Sequence, residues 1–327
     1  MLSRSVARIS VVVPASNRPA TLGACVEGIE AASRPGDELL VMTEPGGTSP
    51  ARLRNVGAMK ATGDIVVFVD ADIVVHQDAF DRLRAAFDAD PTLVAAFGSY
   101  DDTPPGGTVA MFRNLLHHHV HRSAAGPATT FWAGLGAVRR RTFLAAGGFD
   151  DRRYPRPMLE DVELGLRLTD DGEKILLIPE VAGTHLKTWG LRQMARTDVR
   201  DRGVPWTRLL LERRRAPAVL NLGWRHRLSA LSLFAMPVFA VLGVLLGVAA
   251  CAALFLGLNS RFYALLVRRM GVARGVAGIG LHALHHVLAV AALGLGVVAH
   301  LRRSHALPRP TPLDARLPEP HPARDRS

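Results

Sequence analysis

The chain opens on short, continuous apolar runs separated by longer mixed segments. Residues 9–13 (Ser10 apart), 38–43 (apolar from Leu39 to Met42) and 65–69 are such runs, each bounded by turn-forming residues. A strand covered on both faces reads this way, because neither face alternates with water. Segments 19–32 and 51–61 lie between them with helical spacing. Ser16 and Asn17 are cap candidates before the first, and Thr62-Gly63-Asp64 closes the second. Pro45-Gly46-Gly47 reads as a loop. Further on the pattern predicts a helix over 78–89, a strand over 94–97, a Pro/Gly loop over 101–108 and a helix over 109–122. A return to the sheet follows over 129–138, then helices over 141–146 and 160–169 and a strand over 174–179. Residues 181–185 lead out of the sheet. Strand–helix alternation of this kind is the α/β pattern: a sheet flanked by helices, with ligands at the carboxyl ends of the strands.

The pattern then changes. Residues 228–258 are apolar for 31 positions without a charge, and 276–299 are interrupted only by His282, His285 and His286. About 20 apolar residues cross a bilayer as a helix, so both runs are long enough, with Pro237 kinking or starting the first. From residue 301 onward six prolines and scattered charge predict a disordered tail. The expected organisation is a globular domain at 1–205, a basic juxtamembrane segment at 206–227, a membrane region of two hydrophobic helices at 228–300 and a loose tail at 301–327.

Charge sharpens the membrane reading. Forty basic against 29 acidic residues leave +11. Between Arg196 and Arg227 nine arginines face three acidic residues. Basic residues beside an apolar run mark the cytoplasmic side and fit anionic headgroups. The expectation is a multi-pass protein of the inner (cytoplasmic) membrane with its globular domain in the cytosol. Arg261, Arg268, Arg269 and Arg274 alternate with apolar residues, as in an interfacial amphipathic helix. Two full spans would put this stretch outside, against its charge, whereas a re-entrant first segment keeps it inside; two spans are the preferred reading. Nucleic-acid binding would need a recognition motif or interleaved exposed aromatics, and neither is present. The two cysteines make no disulfide framework or zinc pattern. The first apolar run is too short for a signal peptide.

The candidate chemistry starts at Gly63-Asp64-Ile65-Val66-Val67-Phe68-Val69-Asp70-Ala71-Asp72. An apolar strand drives two carboxylates, at i and i+2, past its carboxyl end. Hard divalent cations take such oxygen ligands, and a diphosphate supplies more. A bare Asp-x-Asp is more often a solvated turn, so its company decides. His117 and His121, at i and i+4, could share a metal, but no third ligand is evident nearby. A helix lining a cleft or resting near the membrane suits them better.

That company is specific. Val13-Pro14-Ala15-Ser16-Asn17-Arg18 follows the first strand, Leu53-Arg54-Asn55-Val56-Gly57 sits on the second helix, and Trp132-Ala133-Gly134-Leu135-Gly136 precedes Gly147-Gly148-Phe149-Asp150 and Leu159-Glu160-Asp161. Together, over about 9–208, these segments resemble the family 2 glycosyltransferases of the GT-A fold, a Rossmann-like mixed sheet flanked by helices. The resemblance implies a nucleotide-sugar donor bound by Pro14, Ser16, Asn17, Arg18, Arg54, Asp64, the Asp70-Ala71-Asp72 triplet, Gly134 and Lys187. It also implies Mn²⁺ or Mg²⁺ held by Asp70 and Asp72, with His185 as third ligand. An inverting transfer needs a base for the acceptor hydroxyl, and a carboxylate at a helix start suits it; Asp161 takes that role, with Glu160 supporting. The acceptor expected from location is a membrane lipid or lipid-linked molecule.

Three departures bear on detail. Thr43 and Glu44 stand where the family often has a base-binding Asp, making Glu44 the substitute candidate. Leu135 stands where close relatives often have Cys. Gln193-Met194-Ala195-Arg196-Thr197 keeps the Gln and Arg of the processive polysaccharide synthases but has Thr for their Trp. A processive synthase is therefore the runner-up. A non-catalytic membrane protein with a degenerate transferase domain is the alternative of another class, and intact Asp70, Asp72 and Asp161 argue against it.

Overall fold

A computed structural model describes residues 7–44, 48–213, 223–302 and 309–313. The 45–47 loop, the 214–222 part of the juxtamembrane segment, and 303–308 and 314–327 of the tail lie outside the described residues.

Three strands form the parallel half of the sheet: β1 (Ile9–Pro14), β2 (Glu38–Met42) and β3 (Ile65–Val69). β1 lies between the other two, with Val13 opposite Val41 and Val12 opposite Phe68. All five β3 side chains are buried, because helices cover both faces. One face packs on α1 (Leu22–Ala32) and α3 (Ala79–Ala89) through Cys25, Ile29, Phe80 and Phe87. The other packs on α2 (Pro50–Lys60), α5 (Arg140–Ala145) and α6 (Glu160–Asp170) through Leu53, Phe143 and Leu164. The Ser49 side chain caps α2 by accepting from the Arg52 N–H, with Pro50 in the first turn.

The remaining strands are β4 (Ile73–Val75), β5 (Leu93–Tyr100), β6 (Gly126–Ala128), β7 (Leu135–Arg139) and β8 (Lys174–His185), in the order β2-β1-β3-β7-β5-β8-β4, with β6 also on β8. β7 runs antiparallel to β3 and β5, so the sheet is mixed, as expected. Two expectations change. Of the 129–138 segment only 135–138 is strand, as part of β7, which runs to Arg139. Residues 181–185 do not leave the sheet; they continue β8, and 183–185 pair antiparallel with β4, Ile73 opposite His185. β4 is three residues long and carries no periodicity of its own, so only its partner reveals it. Helix α4 (Thr108–Ser123) packs on β5.

After β8 come α7 (Leu191–Arg196), a π-helical stretch (Thr197–Gly203) and α8 (Val204–Arg213). Leu209 of α8 is buried with Tyr154, Leu159 and Leu166, and Arg153 pairs with Glu212. The start of the predicted juxtamembrane segment is thus part of the globular domain's surface.

The membrane expectation needs correction. Residues 228–258 do not form one span. α9 (Trp224–Val241) and α10 (Leu245–Leu258) fold back on each other at Gly243, whose φ of +70° turns the chain. The break follows from that turn, to which hydropathy is blind. α11 (Ser260–Met270) buries Phe262, Leu265 and Leu266 against Phe112 and Leu115 of α4. Among the described residues one unbroken helix, α12 (Val272–Leu301), is long and apolar enough to cross a membrane, so a multi-pass arrangement is not supported. Nor is the whole tail loose. The Leu313 N–H donates to the Leu144 carbonyl (3.0 Å) and its side chain is buried in the core, while Arg309 pairs with Asp171 (3.1 Å). Burying Leu313 in an apolar core outweighs the disorder expected from the prolines around it.

Candidate active site

The carboxyl ends of β1, β2 and β3 lie side by side, so the turn after β1 (Ala15 to Arg18) and Glu44 after β2 flank Asp70. Asn17, Arg18 and Glu44 are exposed there. Arg18 has φ +41°, the one non-glycine residue in the left-handed region among those described. β4 reverses the chain just past Asp72, and pairing with β8 sets His185 beside it. His185 Nε2 stands 3.6 Å from Asp72 Oδ2, and Lys187 lies two residues on.

Asn114 of α4 holds the imidazole. The Asn114 Nδ2 donates to the His185 carbonyl (3.4 Å), which turns its Oδ1 toward His185 Nδ1 (2.6 Å). An oxygen acceptor there requires the proton on Nδ1, leaving the Nε2 lone pair aimed at Asp72. Tyr100 stacks flat on the ring at 4.2 Å. Two acceptors facing each other across 3.6 Å fit a shared cation. Sequence reasoning missed Asn114 and Tyr100, a polar residue among the many of α4 and an aromatic one at the end of β5.

Arg54 is the other anchor. Its guanidinium is buried and donates to Asp70 Oδ1 (2.5 Å) and Glu160 Oε1 (3.2 Å). Asn55, next to it, exchanges both hydrogen bonds with the Phe149 backbone (2.8 and 2.9 Å), joining α2 to the Gly147-Gly148-Phe149 turn. Gly147 and Gly148 have φ of +80° and +62°. A Cβ on Gly148 would also lie 2.5 Å from Asn55 Oδ1. The glycine pair therefore serves this junction.

Asp161, in the first turn of α6, accepts from the Ala133 N–H (3.1 Å) and the Val162 N–H (2.8 Å). The first of these anchors the 131–134 loop, whose Gly134 carbonyl accepts from the Asp70 N–H (2.9 Å). A Cβ on Gly134 would enter the Trp132 ring, 2.4 Å from its nearest atom. Ala71 is buried, and its carbonyl accepts from the Thr21 hydroxyl (2.8 Å).

The site is strongly negative. Burial, reinforced by Asp70 and Asp72, pushes the Cys25 thiol up to about 12. Burial also raises the Asp161 carboxyl, against the Ala133 N–H and the Arg54 charge, and raises Glu160, where the neighbouring Asp161 adds to it. Asp72 differs: burial would raise it, yet a hydrogen bond from His185 when its Nε2 carries a proton, and the Lys187 charge, hold it below the usual carboxylate range. An ionised carboxylate facing a bare imidazole nitrogen is a donor set suited to Mn²⁺ or Mg²⁺. Among the described residues no three acidic, His or Cys side chains enclose a metal unaided. Such a site depends on oxygens from the ligand.

The structure therefore brings together Arg54, Asp70, Ala71, Asp72, Gly134, Glu160, Asp161, His185 and Lys187, with Pro14, Ser16, Asn17, Arg18 and Glu44 on the same edge. It does not bring Asp64. That residue precedes β3 at its amino end and accepts from the Arg8 N–H (3.3 Å). The five residues of β3 separate it from Asp70, six steps or roughly 20 Å at about 3.3 Å each. The His117–His121 helix faces β5: the His118 and His121 rings sit on the Tyr100 and Gly98 carbonyls (2.8 and 2.9 Å). Burial lowers His121 to about 4.

Residues 36–145, 110 of the chain's 327, match the family described as "Glycosyl transferase family 2", which bears out the resemblance over that stretch. No curated protein matches. Among solved structures, "Mannosyltransferase PcManGT from Pyrobaculum calidifontis in complex with GDP-Man and Mn2+" is 17% identical, with 91% of this chain and 88% of that one covered and a TM-score of 0.50. That likeness supports the GT-A fold. "Crystal structure of GalNAc-T7 with UDP, GalNAc and Mn2+" is 16% identical over 64% of this chain and 48% of the other, with a TM-score of 0.47.

Proposed function

We propose that this chain, matched over 36–145 by the family 2 glycosyl transferases, is a metal-dependent inverting glycosyltransferase. It moves a sugar from a nucleotide-diphosphate donor to an acceptor presented at a membrane. The observation that carries this reading is the convergence at one sheet edge of Asp70, Asp72 and His185 with the Arg54–Glu160–Asp161 cluster. The GDP-Man and Mn²⁺ of the mannosyltransferase relative support a donor and cation of the same chemistry here.

Asp70, Asp72 and His185 would hold the divalent cation, which when bound neutralises charge on the departing diphosphate. Lys187 adds a positive charge beside Asp72. Asp161 takes the proton from the acceptor hydroxyl as that oxygen attacks the anomeric carbon. Arg54 bridges Asp70 and Glu160 beside Asp161 and offsets part of their negative charge. Gly134 and the 131–134 loop let backbone approach the donor sugar. The acceptor's location is supported by α4: one face carries Asn114 on the metal side, and the other packs on α11. The site thus lies one helix from the apolar C-terminal elements.

Purified chain incubated with a panel of nucleotide sugars and Mn²⁺ should hydrolyse or transfer from one of them, and EDTA should stop it. Turnover with none of them would contradict the reading. The raised Asp161 carboxyl sets a pH dependence. A base works ionised, so kcat falls as pH drops through its pKa. The acid limb should therefore lie above the ordinary Asp value of about 3.9. A limb at or below 4 in a kcat–pH profile would count against Asp161. Asn114→Ala frees the His185 ring and should weaken Mn²⁺ affinity about 10–100-fold in a metal titration. Unchanged affinity would remove His185 from the ligand set.

A further inference from the structure

The charge-free stretch of α12 invites the reading of a helix that crosses the bilayer, but the chain is tied to the globular domain before, along and after it. Near its start Gly275 and Gly278 abut Val267 and Leu266 of α11, itself packed on α4. Midway, His285 Nδ1 bonds Asp198 Oδ2 (2.9 Å), and Asp198 pairs with Arg113 of α4. Further on, a Cβ on Gly203 would lie 2.4 Å from Ala292, and one on Gly296 would lie 2.5 Å from Thr207. Contacts 203–292 and 207–296 advance together, so α12 runs parallel to the π-helical stretch and α8. Those elements carry Asp201, paired with Arg156 (3.1 Å), and the Arg208–Glu212 pair (3.7 Å), which a crossing α12 would carry to bilayer depth.

The return of the chain adds a covalent limit. Arg302 follows α12, and Arg309 is already paired with Asp171. Seven Cα steps span at most about 25 Å, less than the hydrocarbon core of about 30 Å. With Leu313 seated in the core, the far end of α12 cannot stand across a membrane from the domain. Yet its outer face is apolar: Val276, Val287, Leu293, Leu295 and Leu301 are 42–78% exposed. At the α9–α10 turn, Val241, Leu242, Leu245 and Leu246 are 67–87% exposed. At about 1.5 Å per residue, the 14 residues of α10 reach only about 21 Å. Exposed Arg261, Arg268, Arg274 and Arg302 stand at the ends of these helices, with no charge from 275 to 301.

We infer that the C-terminal helices form a monotopic docking surface for one leaflet of an anionic phospholipid bilayer. The α9–α10 hairpin dips in, α12 lies in the membrane plane, and no described segment emerges on the far side. The inference rests on the membrane-associated reading above and specifies its topology. It holds the sugar-transfer site at a fixed depth beside the headgroups, where a lipid-borne hydroxyl would be presented.

Three single-cysteine reporters in the full chain test it, each in a Cys251→Ala background with Cys25 left buried: Ser123→Cys on the domain, Leu245→Cys at the hairpin turn and Ser327→Cys at the C-terminus. The chain is bound to sealed phosphatidylglycerol-containing vesicles with the domain outward and treated with a membrane-impermeant maleimide. Ser123→Cys and Ser327→Cys should label equally without detergent, and Leu245→Cys only after detergent. Labelling of Ser327→Cys only after detergent, while Ser123→Cys labels without it, would overturn the one-leaflet topology and leave membrane association standing. Failure of the chain to float with the vesicles would overturn both. Nucleotide binding in solution, measured separately, reports on the transferase reading alone.

Discussion

Replacing Asp161 by Asn is expected to lower kcat by about 10²–10⁴ while donor binding stays within a few-fold of wild type. Asn is the informative choice. Asp161 accepts from both the Ala133 and Val162 N–H groups, so removing the side chain would release the 131–134 loop and confuse positioning with chemistry. The amide oxygen of Asn can keep the Ala133 bond, and only the local Val162 contact meets the NH₂ group. What Asn cannot do is accept a proton from a hydroxyl. If Asp161 merely complements the amino end of α6, the same change would cost stability of the order of a lost cap, about 0.5–2 kcal/mol, and leave kcat unchanged. Steady-state kinetics and thermal unfolding on one protein preparation separate the two.

Asp72→Ala should abolish Mn²⁺-dependent donor binding and reduce turnover by at least about 10³-fold, since the carboxylate is asked for several kcal/mol of charge stabilisation. The fold should survive. Among the described residues its carboxylate has one ion-pair neighbour, His185, at 3.6 Å, and no buried cation is orphaned by its loss. Asp70 is a poorer probe, because Arg54 is buried against it and would be left with Glu160 alone. Unfolding of Asp72→Ala at the wild-type temperature, together with lost Mn²⁺ response in donor binding, is the expected pair of results. Retained Mn²⁺ response would exclude Asp72 as a ligand.

The parallel half of the fold was legible because β1 and β3 are buried on both faces, which forces unbroken apolar runs onto the sequence. Asp70 and Asp72 were legible for the same reason, as the first charges after such a run. Asp64 falls outside the cluster because a motif is linear and a strand is long: the same strand that delivers Asp70 to one edge leaves Asp64 at the other. Asn114 and Tyr100 were invisible because their roles exist only once α4 and β5 pack beside β8. The layout of the C-terminal helices was hidden for another reason. Hydropathy counts apolar residues but not the left-handed turn at Gly243, nor the small-residue stripe (Gly275, Gly278, Ala292, Gly296) that lets α12 lie against protein. Leu313 was lost among prolines, since one buried residue in a polar tail has no period.

The central claim is that this sheet edge binds a nucleotide sugar through a divalent cation. Isothermal titration of the wild-type chain with nucleoside diphosphates and their sugars, with Mn²⁺ and again with EDTA, tests it directly. At least one nucleotide should bind in Mn²⁺ and lose measurable affinity in EDTA. Binding that is absent for all of them, or the same with and without the metal, would contradict the account.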